Sequence, residues 1–208
     1  MLRELRPAIL MVIVSTVLFG LVYPLGMTGL SQLLFPWQAN GSLLMRNGQV
    51  IGSVLIGQNF VSPRYFHGRP SVTTDTDAHG KIIKSPYNAA NSSGSNLGPT
   101  SKALLDRIKN DVRALHTDNS ASIPVDLVTS SASGLDPDVT PAGAYFQIPR
   151  IAKARGMAEE RVRALVARHI EDRWLGVFGE PHVNVLELNL ALDDLQGGGS
   201  IHRQHPRD

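Results

Sequence analysis

The apolar positions of this chain are concentrated near its N-terminus. Apolar side chains dominate from Ala8 to Leu25, and no charged residue lies between Arg6 and Arg46. A helix needs about 20 predominantly apolar residues to cross the ~30 Å hydrocarbon core of a bilayer. The pattern therefore predicts one transmembrane helix within residues 1–36. The positions assigned to this span are Ala8, Val12, Val17, Gly20, Tyr23, Pro24 and Gly26.

A cleaved signal peptide is the alternative for this segment, because signal peptides also place basic residues before an apolar stretch. Their apolar regions are usually about 7 to 15 residues long and end at small residues. Here the apolar character continues through residues 20–23, and the best small-x-small site, at residues 29–31, is followed by further apolar residues. A retained anchor is therefore the preferred interpretation.

The charges that flank the span predict its orientation. Arg3 and Arg6 lie close to its N-terminal end, whereas the first charge beyond it is the distant Arg46. Short flanks rich in Lys and Arg stay in the cytoplasm. We therefore expect a cytoplasmic N-terminal tip and an extracytoplasmic C-terminal domain. The chain has no cysteine, which excludes a disulfide framework and thiolate metal ligands.

Beyond the span, the pattern predicts one α+β domain over residues 37–196 and a flexible tail over residues 197–208. Strand-forming residues on both sides of Asn47 and Gly48 predict a β-hairpin, because Asn-Gly favours a tight primed turn. Further strands are predicted at residues 123–129 and 183–188. The stretch 61–98 shows no periodicity, and its spaced aromatic residues favour an ordered loop that packs on the domain.

Helical periodicity marks three further segments. One opens after Pro99, and another begins near Glu159, where two acidic residues suit the positive end of the helix dipole. A third segment, at residues 142–155, is expected to break or kink next to Pro149, because proline lacks the N–H that a helix requires. Gly156 is expected to end this segment.

The charge balance limits the classes of partner. The formal net charge is +2, and no Lys/Arg cluster is interleaved with aromatic residues, so we exclude nucleic acid. The bilayer, membrane proteins and small solutes remain as candidates. Arg150, Lys153 and Arg155 form a small basic cluster of the kind that usually lies on a solvated helix face.

The polar loops hold no convincing catalytic or ligand-binding motif. Asp75, Asp77 and His79 carry suitable ligand atoms, but their spacing matches no established metal site. A phosphate-binding loop requires Gly-x4-Gly-Lys, whereas Gly94 is followed by Gly-Pro at residues 98–99. A Gly-x-Ser-x-Gly hydrolase elbow is also missing. The sequence therefore predicts no catalytic residue, no metal site and no stably bound cofactor.

Seven features, in this order along the chain, carry a resemblance to a known family. They are an N-terminal anchor with Arg-Pro-Ala at residues 6–8, FVSPRYFHGRPS at 60–71, YNAA at 87–90, SGSNLGP at 93–99, PVDLVTSSASGLDP at 124–137, QIPRIAKARG at 147–156 and VNVLELNLALD at 183–193. Together they resemble the KdpC family, the small subunit of the bacterial high-affinity potassium-transporting ATPase. The resemblance extends to about Leu195. It departs at residues 92–95, Ser-Ser-Gly-Ser, where the family more usually shows Ser-Gly-Gly-Ser.

The resemblance implies a single-pass, non-catalytic subunit of the inner membrane with its C-terminal domain in the periplasm. The implied partners are a potassium-channel-like subunit and a P-type ATPase subunit. The family is described as helping assembly and as a catalytic chaperone that promotes ATP binding by the hydrolysing subunit. ATP association is implied by the resemblance only. Because ATP is cytoplasmic and the charge bias places the domain outside, no residue is assigned to ATP.

The expected mechanism is conformational, with the anchor packed on partner helices and the outer domain resting on the mouth of the channel-like subunit. The candidate contact residues are Arg64, Tyr65, His67, Arg69, Asn96 and Gln147, because their motifs are too polar and irregular for core packing. A stand-alone membrane-anchored periplasmic solute-binding or sensor module is the alternative. An anchored hydrolase is a third class, without a motif in its favour.

Overall fold

The computed structural model describes residues 2–118, 120–197 and 201–203. The N-terminal elements are α1 (Leu2–Val17), a π-helical segment (Leu18–Val22), α2 (Tyr23–Leu34) and α3 (Pro36–Ala39). The elements that follow are β1 (Leu43–Arg46), β2 (Gln49–Ser53), β3 (Thr74–Thr76), β4 (Ile82–Lys84), α4 (Lys102–Asp118), a 3-10 turn (Val125–Leu127), β5 (Asp138–Val139), α5 (Pro141–Arg155), α6 (Glu159–Arg168), β6 (Val183–Asn184), α7 (Val185–Asp194) and β7 (Ile201–Arg203).

The N-terminal elements α1 and α2 join through the π-helical segment into one helix. Of the described residues, one helix, Arg3–Leu34, is long and apolar enough to span a membrane. Its 32 residues correspond to about 48 Å of helix, which exceeds the hydrocarbon core and leaves room for tilt. Its large apolar side chains are exposed in the isolated chain. The predicted α+β fold with one N-terminal transmembrane helix is confirmed.

The π-helical segment lies directly before Pro24. A proline within a helix lacks an N–H and crowds the carbonyl four residues earlier, here that of Gly20. The wider π turn relieves this conflict, and the Tyr23 N–H donates to the Leu18 carbonyl five residues back. Thr28 Oγ1 donates to the Pro24 carbonyl at 2.8 Å. The helix therefore passes Pro24 without ending.

The predicted hairpin is confirmed. Asn47 and Gly48 have φ values of 54° and 75°, as a primed turn requires. β1 pairs with β2 from Leu43 opposite Ser53 to Arg46 opposite Gln49, with a bulge after Leu44. β7 lies antiparallel on the other edge of β1. Residues 201–203 of the predicted flexible tail thus lie in a strand, while 198–200 and 204–208 lie outside the described residues.

The core lies where α5, α6 and α7 pack together. α4 and α6 begin near the predicted positions. α6 buries Val162, Leu165 and Val166 as the periodicity indicated, whereas α4 packs the half-buried Leu115 against the core and leaves Leu105 exposed. The fully buried members of the core include Phe66, Val139, Ile148, Ile151, Val162, Val166, Val183, Leu188 and Leu192. A smaller cluster of Leu44, Leu186 and Leu190 joins β1 to α7. The three-stranded sheet is therefore attached to the helical core through α7.

Of the break or kink predicted next to Pro149, the break is wrong. α5 is continuous from Pro141 to Arg155, with the Thr140 side chain accepting from the Gly143 N–H at its start. Ile148 and Ile151, on either side of the proline, are fully buried. Packing on both sides of Pro149 holds the helix together despite the missing hydrogen bond. Gly156 ends it in the left-handed conformation, as predicted.

The predicted strand at 183–188 is also wrong beyond its first two residues. β6 pairs with β5 over Val183–Asn184, and α7 begins at once. The Asn184 side chain accepts from the Glu187 N–H at 3.1 Å and so caps α7. Short apolar alternation and helical periodicity are difficult to tell apart, and the Asn-x-x-Glu cap was the missed signal.

The predicted strand at 123–129 is a 3-10 turn at Val125–Leu127. Its middle residue, Asp126, is buried and accepts from the Thr140 N–H at 2.7 Å. This long-range bond directs the segment to the start of α5 and away from a sheet. The stretch 61–98 is ordered, as expected: Phe66 and Thr73 are almost completely buried, and β3 pairs with β4.

Candidate functional site

Residues 60–71, here called the braced loop, carry four of the six candidate contact residues. Two buried amides hold their backbone. Asn189 Oδ1 accepts from the Phe66 N–H at 2.8 Å, and its Nδ2 donates to the Phe66 carbonyl at 2.9 Å. In the same way, Gln147 Oε1 accepts from the His67 N–H at 2.8 Å, and Gln147 Nε2 donates to the His67 carbonyl at 3.0 Å. Consecutive residues of the loop are therefore fixed by α7 and α5.

Arg150 extends this support along α5. Its guanidinium donates to the Pro63 carbonyl at 2.7 Å, to the Tyr65 carbonyl at 3.1 Å and to Gln147 Oε1 at 2.7 Å. These acceptors would otherwise lie in an irregular segment without sheet or helix partners. Arg150 therefore satisfies the hydrogen-bonding capacity of two loop carbonyls and also orients the amide of Gln147.

Arg155, at the end of α5, is the third support. Its side chain is 2% exposed, and it donates to the Arg64 carbonyl at 2.7 Å and to Asp193 Oδ1 at 2.8 Å. Its guanidinium also lies 4.8 Å from the centre of the Tyr65 ring. The Tyr65 hydroxyl donates to the other oxygen of Asp193 at 3.1 Å. A buried cation is stable only with such partners, so Arg155 joins α5, α7 and the loop.

The C-terminal half of the braced loop is fixed by Arg69 and Tyr87. Arg69 Nη1 pairs with Asp136 at 2.8 Å, and the Tyr87 hydroxyl donates to the Arg69 carbonyl at 2.6 Å. Burial, with a smaller contribution from the negative charge of Asp136 and against the opposing effect of Arg69, raises the pKa of the Tyr87 phenol to about 12. A Cβ on Gly68 would lie 2.4 Å from the Tyr87 oxygen. Glycine is therefore needed where the loop passes this ring.

A cleft of about 390 Å³ lies beside the braced loop. His67, Arg69 and Tyr87 line it on the loop side, and Asp111 of α4 lines it on the helix side. Burial raises the pKa of the Asp111 carboxyl, although its ion pair with Arg107 at 3.0 Å opposes this effect. The cleft therefore combines a polar rim with the apolar side chains of the core edge.

Comparison with known proteins identifies the group to which this architecture belongs. The sequence model of the family described as "KdpC: K+-transporting ATPase, c chain" matches residues 5–194. The chain belongs to the KdpC family. A Rhodopseudomonas palustris (strain BisB18) relative named "Potassium-transporting ATPase KdpC subunit" is 61% identical over 196 residues, which are 93% of this chain and 98% of the relative.

Two further relatives with the same name show equal coverage. The Bradyrhizobium diazoefficiens protein is 61% identical over 196 residues, or 93% of this chain and 98% of its own length. The Methylobacterium nodulans protein is 60% identical over 201 residues, or 95% and 100%. The KdpC match covers the anchor, the braced loop and α7 alike. The family is that of an auxiliary subunit and not of the catalytic subunit of the ATPase.

The structure separates the candidate contact residues of this KdpC chain into two groups. Gln147 is buried and Tyr65, His67 and Arg69 are half-buried, and all four take part in the loop's own contacts; His67 Nε2, for example, lies 3.0 Å from the Ser62 carbonyl. Arg64 and Asn96 are exposed. Arg64 makes a long 3.4 Å bond to Gln196. The role of the whole set in partner contact stays a prediction.

Sequence reasoning missed four residues that support the KdpC braced loop. Arg150 and Arg155 were expected on a solvated face, and this is wrong, whereas Lys153 of the same cluster is exposed. Asn189 was not singled out, although an amide among the apolar positions of a helix is itself a signal of a buried hydrogen bond. Asp193, which accepts from Arg155 and Tyr65, was also missed.

The remaining polar loops of this KdpC chain stabilise one another. Ser92 Oγ donates to the Ser133 carbonyl at 3.0 Å, and a Cβ on Gly94 would lie 2.7 Å from the Ala132 carbonyl. Asp77 accepts from the His79 and Lys81 N–H groups in the β3–β4 turn. The described residues contain no group of three or more His, Asp or Glu side chains placed to hold a metal ion.

Proposed function

We propose that this chain is a non-catalytic subunit of an ATP-driven high-affinity potassium uptake pump. It assembles with a potassium-channel-like subunit and a P-type ATPase subunit, and it stabilises their complex. The family match over residues 5–194 is the observation that carries this proposal. The contacts of the braced loop explain how a small domain without a catalytic set serves such a role.

In the proposed topology the chain is an inner-membrane protein with its N-terminus in the cytoplasm and its outer domain in the periplasm. Arg3 and Arg6 support this orientation, because they lie at the end of the helix that would stay inside. Gly20, Gly26 and Gly29 lie in or after the π turn, and small residues allow close packing between membrane helices. The anchor therefore binds the helices of a partner subunit.

The braced loop is the part of the outer domain that we propose for docking on the channel-like subunit. Two amides and two guanidinium groups already fix its backbone, so docking loses less conformational entropy than it would with a free loop. Arg64 and Asn96 supply exposed polar groups for direct contact. Gln147, which is 4% exposed, contributes by holding His67 in place.

The anchor and braced-loop contacts could promote ATP binding by the P-type ATPase subunit, although this chain does not touch the nucleotide. ATP is bound on the cytoplasmic side, whereas the braced loop lies on the other side of the membrane in the proposed orientation. Docking of the outer domain and packing of the anchor would favour one conformation of the assembled pump. A partner that binds one conformation more tightly shifts the population toward it.

The experiment compares Gln147→Ala and Arg64→Ala with the matched control Lys153→Ala in the full-length chain. Lys153 is an exposed basic residue on the same helix as Gln147. We expect the first two variants to recover less of the two larger subunits on co-purification and to lower potassium-stimulated ATP hydrolysis. Lys153→Ala should behave like the unchanged chain. Equal assembly and hydrolysis by all variants would contradict the docking role of the loop.

A stand-alone solute-binding or sensor module is the second candidate, favoured by the cleft beside the braced loop. A binding module would be stabilised by its ligand without partner subunits. Thermal unfolding of the full chain in detergent, with and without potassium or small organic solutes, tests this. We expect no shift of the midpoint, and a shift that depends on solute concentration would favour the binding module.

A further inference from the structure

Residues 171–182, here called the apolar finger, project large apolar side chains from the outer domain. The neck is closed by a pair of backbone bonds between Glu171 and His182, at 2.9 Å and 3.0 Å. The Trp174 N–H donates to the Phe178 carbonyl at 2.8 Å nearer the tip. The tip residues Trp174, Leu175, Val177 and Phe178 are between 61% and 73% exposed.

The charges of the finger are kept behind its tip. Arg173 Nη2 pairs with Glu180 at 2.6 Å across the two strands of the neck. Leu175 and Gly176 form the turn, with φ values of 53° and 74°. A left-handed leucine is costly, and here it places an apolar side chain at the outermost position. Clustered exposed apolar residues of this kind mark an interaction site.

The finger begins next to the exit of the anchor helix. Trp37, three residues after the end of α2, lines one cleft together with Glu171 and His182 of the neck. Its indole N–H donates to the Leu43 carbonyl at 3.1 Å, which fixes the anchor's end to β1. Trp174 is three residues beyond Glu171, and so within about 10 Å of the neck. The apolar tip therefore lies within reach of the membrane surface.

We propose that the apolar finger inserts its tip into the lipid–water interface of the bilayer that holds the anchor. This rests on the membrane anchoring given under the proposed function. Trp and other aromatic side chains favour this interface, because an apolar ring and a polar N–H are both accommodated there. Arg173 is neutralised by Glu180, whereas Glu171 and Asp172 leave the neck acidic, so the tip suits a zwitterionic rather than an anionic lipid surface. The outer domain would then be held to the membrane at two points.

The two tryptophans of the chain, Trp37 and Trp174, allow a direct test. Trp37→Phe leaves Trp174 as the reporter of the finger, and Trp174→Phe leaves Trp37 as the reporter of the anchor. Each full-length variant is reconstituted in phosphatidylcholine vesicles whose acyl chains are brominated at shallow or deep positions. We expect both reporters to lose emission, with Trp174 quenched more by shallow than by deep bromine.

A third tryptophan reporter, placed on a water-exposed strand, serves as the matched control. Ile82→Trp, in a chain with both natural tryptophans replaced by Phe, places an indole at a site that is 71% exposed on β4. Its emission should be unchanged by brominated lipid and lost to aqueous acrylamide. The variant Phe178→Glu in the Trp174 reporter should remove the lipid quenching, because a charge at the tip opposes insertion.

The outcomes separate the inference from the proposed function. Quenching of Trp37 without quenching of Trp174 would overturn the insertion of the finger and leave the anchor intact. If neither were quenched, the anchoring itself would fail. In the assembled complex, the emission difference between the unchanged chain and Trp174→Phe reports the finger. Shielding of that difference from both bromine and acrylamide would show that a subunit, and not lipid, covers the tip.

Discussion

The braced loop and the apolar finger differ in how their side chains are used. The loop has a polar, irregular sequence, yet its backbone is fixed by Gln147, Asn189, Arg150 and Arg155, and its Phe66 is fully buried. The finger has an apolar tip, yet that tip is exposed, and the backbone hydrogen bonds of the tip join residues of the finger itself. In the braced loop, a polar sequence accompanies a backbone held by internal hydrogen bonds. In the apolar finger, an apolar sequence forms an exposed surface.

The largest effect on the difference between the two regions is expected when the side-chain amide of Asn189 is removed. Asn189→Ala leaves both the N–H and the carbonyl of Phe66 without their partner in a buried site. We expect a loss of about 3 kcal/mol in the free energy of unfolding, since each unsatisfied buried group costs about 1–3 kcal/mol. Urea unfolding of the outer domain, in the detergent-solubilised full chain, measures this.

The control for this prediction is Arg161→Ala, an exposed substitution on α6 that should change stability by less than about 0.5 kcal/mol. An Asn189→Ala variant as stable as this control would mean that the loop does not depend on its amide support. The contrast between the two regions would then be lost.

A smaller effect concerns Tyr87, which fixes the Arg69 carbonyl. Its pKa of about 12 lies above the ordinary tyrosine value of 10.0, so the neutral phenol is favoured in the folded state. The corresponding stability is fully present below about pH 10 and is lost as the pH rises from about 10 to about 12. Tyr87→Phe should lower stability by about 1 kcal/mol at neutral pH, through the lost hydrogen bond.

Thermal unfolding between pH 8 and pH 12 checks this prediction. The difference between the unchanged chain and Tyr87→Phe should shrink over the upper part of that range, since only the former carries this phenol. A constant difference up to pH 12 would show that the Tyr87 hydroxyl is not held by the loop.

The smallest effect is expected in the finger. Val177→Ser changes a side chain that is 72% exposed and should alter the free energy of unfolding by less than about 0.5 kcal/mol. The same urea measurement tests it, beside Asn189→Ala. A loss above 1 kcal/mol would mean that the tip packs on the domain, and the two regions would no longer differ in kind.

Local signals in the sequence were sufficient for several elements. The uninterrupted apolar run predicted the N-terminal helix, Asn47-Gly48 predicted the primed turn, and Gly156 predicted the end of α5. Each of these depends on residues close together in the chain, whose conformational preferences act within a turn or two. The sequence motifs also predicted the KdpC family, and the family match over residues 5–194 confirmed this prediction.

Elements that depend on distant partners were predicted poorly. Pro149 is tolerated because α5 is packed on both sides, and the segment at 123–129 is directed by the hydrogen bond that the Thr140 N–H donates to Asp126. The local sequence predicts Arg155 on the surface, whereas its actual burial depends on two partners distant in the chain, Asp193 and the Arg64 carbonyl. In each case tertiary contacts overrode a local preference, which is a weak prior in a packed domain.

The anchor helix, the hairpin, the helical periodicity and the family of this protein can all be recognised from sequence patterns. Which polar residues are internal and which apolar residues face outward depends on the tertiary fold. Gln147 and His67 are 80 residues apart in the chain, and Asn189 and Phe66 are 123 apart. Hydrogen bonds over such separations depend on where the chain folds back, because no local pattern encodes the partner of a buried amide.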